Sequence, residues 1–158
     1  MTPRLPRRMA WVGIGMACFV LAASPSFGQA APRPVEIPPG TTTLEGIPSV
    51  RVDSSEGRTT RQVLSSDIAK KNRLLINVVD GKFFWTSRDN RPLQFTSSGD
   101  FSYFASEAGS YIRITRINDK ISYVEHLDTA LMSPAQRPSV LPFGTVTWWG
   151  ELKIVVGK

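Results

Sequence analysis

The sequence predicts an all-β domain, an antiparallel meander forming a small sandwich or barrel, with one short helix before the first main strand. Three observations carry this prediction. Apolar side chains recur with period two from Leu74 onward, turn signals interrupt them every 8 to 12 residues, and one segment alone has the end signals of a helix.

The first thirty residues stand apart from the rest. Arg4, Arg7 and Arg8 precede a 13-residue uncharged apolar run, Trp11 to Ala23, and Ser24 to Ala31 supplies small residues around Pro25. This is the arrangement of a secretory signal peptide, with Gly28 and Ala30 placing cleavage after Ala30. A membrane-crossing helix needs about 20 apolar residues, so the run is too short for a permanent anchor. The Arg7-Arg8 pair alone does not select the twin-arginine route. Cys18 lies inside the apolar run, behind Gly15-Met16-Ala17, which is a poor lipid-attachment sequence. The expected product is therefore exported, to periplasm or medium, with no cysteine, no disulfide and no membrane span. An apolar core must hold it together.

Charge narrows the partners. The chain has 19 Lys and Arg against 13 Asp and Glu, and loss of Arg4, Arg7 and Arg8 would leave 16 against 13. That excess is too small for the dense basic surface of a nucleic-acid-binding protein.

Residues 31–61 read as a Pro/Thr-rich extended arm or tether, on Pro32, Pro34, Pro38, Pro39, Pro48 and Thr41 to Thr43. The β-rich domain is then expected over 62–158. Ser66 as N-cap, followed by Asp67 and by Lys70-Lys71, gives a short helix, with an acid in the first turn and cations in the last. Strands follow over 73–79 and 82–87, joined at Asp80-Gly81, a pair suited to the positive φ angles of a type I′ turn. Further strands are expected over 93–96, 101–105, 111–117, 121–127 and 145–156, the last one bent or split at Gly150. Residues 128–142 carry Pro134, Pro138 and Pro142 and read as a long excursion, functional or packed as a lid.

Catalytic signals are sparse. His126, the single histidine, sits beside Glu125 and near Asp128, but no nucleophile-elbow sequence accompanies it, and on a strand Glu125 and His126 face opposite ways. One imidazole and no mature cysteine do not make a zinc site, and Asp89-Asn90 lacks the spacing of a calcium loop. No glycine loop for phosphate or dinucleotide occurs, so no cofactor is implied. The aromatics are the remaining signal. Phe84-Trp85 and Trp148-Trp149 are adjacent pairs on strands, so one member of each must leave the core or be covered. Trp85 and Trp149, with Arg88, Arg91 and Arg113 near them, are the candidate binding residues. The reading is an exported non-catalytic binding module that engages a protein, a glycan or a small apolar ligand through exposed aromatics. The alternatives are a small secreted hydrolase, using His126 or a carboxylate pair, and a structural component of the cell envelope.

Overall fold

Alternation along each strand sorts the side chains onto the two sides of a closed sheet. The computed structural model of the protein describes residues 30–55, 57–106, 109–128 and 144–157. The expected signal peptide and nearly all of the 128–142 excursion lie outside these residues. The strands are β1 (Thr41–Ser55), β2 (Arg58–Val63), β3 (Leu74–Val79), β4 (Lys82–Trp85), β5 (Arg91–Ser98), β6 (Phe101–Ala105), β7 (Tyr111–Ile117), β8 (Lys120–Asp128) and β9 (Thr145–Val156), with helix α1 (Ser66–Lys71) between β2 and β3. Each of β3 to β8 pairs antiparallel with the next, and β9 pairs back onto β1, which also pairs with β3. The sheet is thereby closed into an eight-stranded barrel, and β2 extends from β1 outside the ring. Of the two architectures the sequence left open, the barrel is the one formed.

The helix and the Asp80-Gly81 hairpin fall where the sequence placed them. Asp80 and Gly81 take φ of 50° and 73°, and Asn118 takes 55° in the turn between β7 and β8. Ser65, one residue earlier than expected, is the N-cap of α1.

The proline-rich segment is different. Thr41–Ser55, expected in the arm, is the longest strand of the barrel and closes it, so the folded unit begins well before residue 62. The helix accordingly follows two strands. Pro48 is accommodated at a register shift against β9 between Pro48 and Val50. Gly150 stands opposite Pro48 without breaking β9, and a Cβ there would lie 2.1 Å from the Ile47 carbonyl oxygen. The bulge also reverses the alternation of β1. Leu44 and Gly46 share the inner side before it, whereas Arg51 pairs with the inward-facing Trp148 after it.

The barrel interior is the core. Leu44, Leu74, Ile76, Trp85, Phe104, Ile112, Ile114 and Leu127 are all buried within it. Burial of each such side chain contributes roughly 1.5–3 kcal/mol, which supplies the stability that disulfides provide elsewhere. Outward positions on β9 carry Thr145, Thr147, Trp149, Glu151, Lys153 and Val155.

One end of the barrel is closed by the segment before β1. Val35 is fully buried there, donating its N–H to Ser102 Oγ at 3.0 Å and accepting the Ser102 hydroxyl proton on its carbonyl at 3.0 Å. Ser97 donates to the same Ser102 oxygen at 2.9 Å. Arg33 and Arg116 exchange two backbone hydrogen bonds, and Ile37 packs toward the ring cluster of Phe83, Phe95 and Phe104, whose centroids are 4.9–5.5 Å apart. We call this the arm end, and the opposite one, where α1 leads into β3, the helix end.

Candidate functional site in the barrel

The interior changes character toward the helix end. The inner side of β8 reads Ile121, Tyr123, Glu125, Leu127, so one carboxylate interrupts an apolar row. β5 enters the barrel with Arg91 ahead of Leu93, and its Cα partner Trp85 faces inward beside it. The turn between β4 and β5 is held by Ser87, which accepts the Leu75 N–H at 3.0 Å, and by positive φ at Asp89 and Asn90. It directs Arg88 inward, where a guanidinium nitrogen donates to the Ser87 carbonyl at 2.9 Å.

Arg88 and Glu125 are an ion pair with 3.0 Å between Nη2 and Oε1, although the two groups are not aligned as a hydrogen bond. The Glu125 carboxylate is completely buried. Burial pushes its pKa up to about 7; Arg88 opposes that rise, as does the nearby Trp85 indole N–H, which makes no well-aligned hydrogen bond. Tyr123 is raised well above its ordinary value, by burial first and by the Glu125 charge second, so its hydroxyl keeps its proton. The ring fits only because Gly46 lies beneath it: a Cβ on Gly46 would be 2.6 Å from Tyr123 Cε1.

Trp148, the partner of Glu125 across β8 and β9, carries the Arg88 guanidinium over its ring at 5.0 Å and the Arg51 guanidinium at 5.5 Å. Arg51 is itself paired with Asp53 at 2.8 Å. Of the three arginines in this cluster, Arg91 is the least compensated. Its side chain is 8% exposed, its nearest carboxylate oxygen, on the largely exposed Asp89, is 3.8 Å away, and none of its Nε, Nη1 and Nη2 has a hydrogen-bond partner among the described residues. The same is true of the indole nitrogens of Trp85 and Trp148, of Arg88 Nε and of the Tyr123 hydroxyl.

The five binding residues nominated from sequence divide between the two sides of the wall. Trp85, Arg88 and Arg91 come together inside. Trp85 is fully buried, so it is Phe84 that projects outward from that pair, and Trp85 belongs to no exposed aromatic face. Arg113 and Trp149 lie outside, in register through Val124, in a shallow groove of about 300 Å³ with Phe101, over which the Arg113 guanidinium sits at 4.6 Å. His126 is also on the outer side, 3.1 Å from Thr147 Oγ1 and stacked on Tyr111, with Glu125 across the sheet from it. The fold therefore does not join His126 and Glu125 in a triad.

Sequence reasoning passed over Tyr123, Glu125, Trp148 and Arg51 as members of the interior cluster. A signal for two of them was present, since period two puts Glu125 and Arg91 on the sides of their strands that bury Leu127 and Leu93. Arg51 is aimed inward only by the bulge, which no periodicity reveals. No family model, no curated protein and no solved structure matches this chain.

Proposed function

We propose that the protein is an exported, non-catalytic binding module whose barrel receives a small ligand at the helix end. The Arg91 guanidinium carries the reading: it is buried, faces the interior and makes no hydrogen bond within the described residues. A buried donor left unpaired costs about 1–3 kcal/mol, and more when it is charged, so groups that serve only packing are not built this way. Such violations of local rules concentrate at functional sites, and an eight-stranded barrel is wide enough to hold one small molecule. Two tryptophans and a tyrosine supply the apolar walls and orienting donors that small-ligand sites use. The export part of the proposal rests on residues 1–30, and cell fractionation with sequencing of the mature N-terminus checks it.

A screen of small organic compounds, read by tryptophan emission and by thermal unfolding, tests the binding reading. The expected result is a compound that shifts both signals in the wild-type protein and neither in Arg91→Leu. If no compound does so, or if the protein turns over esters or glycosides and His126→Ala abolishes it, the reading falls.

A further inference from the structure

We infer that the barrel interior at the helix end selects an organic monoanion, a carboxylate carried on an apolar body. This rests on the binding reading above and specifies its ligand. The argument begins with a census of polar atoms. Among the described residues, the buried side-chain donors without an aligned hydrogen bond are Arg91 Nε, Nη1 and Nη2, Arg88 Nε and Nη2, the indole N–H groups of Trp85 and Trp148, and the Tyr123 hydroxyl; of these, Arg88 Nη2 and the Trp85 N–H already face Glu125. Every one can donate, and only the hydroxyl can also accept. The one buried acceptor among the described residues that is likewise short of hydrogen bonds is the Glu125 carboxylate, and Arg88 already faces it at 3.0 Å. A ligand that satisfies this set must bring acceptors.

Charge then limits how many. Arg51 has Asp53 at 2.8 Å and Arg88 has Glu125 at 3.0 Å, which leaves Arg91 as the cation whose compensation is poor. One undercompensated cation matches one negative charge. A phosphate monoester would bring about 1.5 to 2 charges close to Glu125 and Asp89, which repel the excess. Shape points the same way, because a guanidinium fork matches the two oxygens of a carboxylate in a bidentate pair. The Trp85 ring, in register with Arg91, supplies an apolar neighbour for the rest of the ligand, while the Trp148 ring is taken up by the Arg88 and Arg51 guanidiniums.

The test is titration of the full protein with benzoate, 2-naphthoate and octanoate, with the alcohol counterpart of each, and with phenyl phosphate, followed by tryptophan emission. At least one acid is expected to bind about tenfold or more tightly than its alcohol and than phenyl phosphate. Arg91→Met should remove that advantage while leaving the alcohol within about threefold, and Arg91→Lys, which keeps the charge but not the fork, should lose part of it. Ser102→Ala, at the arm end, should bind the acid as the wild type does. Circular dichroism establishes that each variant is folded, and Arg91→Lys decides the matter if the methionine variant is not. Acids and alcohols binding equally would overturn the inference and leave the barrel as a ligand site; tighter binding of phenyl phosphate would do the same. Binding of neither acids nor alcohols would remove both readings.

Discussion

At the arm end the buried polar groups answer one another. Val35 N–H and carbonyl meet the Ser102 hydroxyl, Ser97 completes that oxygen, and three phenylalanine rings fill the space around them. At the helix end, three arginines, one fully buried carboxylate and two indoles share the interior, and most of their hydrogen-bonding capacity is unused within the described residues. Both ends belong to one continuous ring of strands, so backbone architecture does not explain the contrast. The difference teaches which part of the barrel is there for stability and which part gives some of it up.

Opposite responses to truncation would sharpen the contrast most. Phe104→Ala removes a fully buried ring from the arm end and should cost about 3–5 kcal/mol in denaturant unfolding. Arg91→Leu, which removes an undercompensated buried charge from the helix end, should be neutral or raise stability by about 1–2 kcal/mol. A loss at Arg91 as large as that at Phe104 would break the comparison.

Acidity offers a second, smaller effect, confined to the helix end. Glu125 titrates near pH 7 in the folded protein against an ordinary value of 4.5. Between those values the folded state keeps a proton that the unfolded state has lost, so stability is greatest below about 4.5 and falls as pH rises toward 7. The slope is on the order of 1 kcal/mol per pH unit, and it levels off above the folded value. Unfolding curves recorded between pH 4.5 and 8 should show this fall in the wild type, and Glu125→Gln should flatten it. An unchanged pH dependence in the variant would assign the fall to other groups.

The smallest expected effect is on the outer wall. Trp149 is 37% exposed and its partner in the groove, Arg113, rests on Phe101. Trp149→Ala should change stability by no more than about 0.5 kcal/mol and leave ligand binding inside the barrel unaffected. A large change in either would mean that the two sides of the wall are coupled.

How much of this was legible in the sequence differs between the same regions. Strands β3 to β9 announced themselves because each buries one side only, and Asp80-Gly81 marked its hairpin by the φ angles it must take. Strand β1 did not, because Pro48, Gly46 and the threonines before them resemble a linker in composition. A bulge opposite Gly150 tolerates the proline, and Gly46 is needed for the Tyr123 ring, but both reasons lie in neighbouring strands. Likewise Arg88 and Arg91 were recognised as candidates while their surroundings were not. Local composition cannot distinguish an arginine guarding a sheet edge from one turned into a barrel.

The seam of the ring lies between β1 and β9, which are separated by nearly the whole described chain. A nascent polypeptide emerging from the ribosome thus cannot seal the cylinder until residues 145–156 are available, and up to that moment two long unpaired margins remain exposed. Late sealing makes those dozen residues the latch of the barrel.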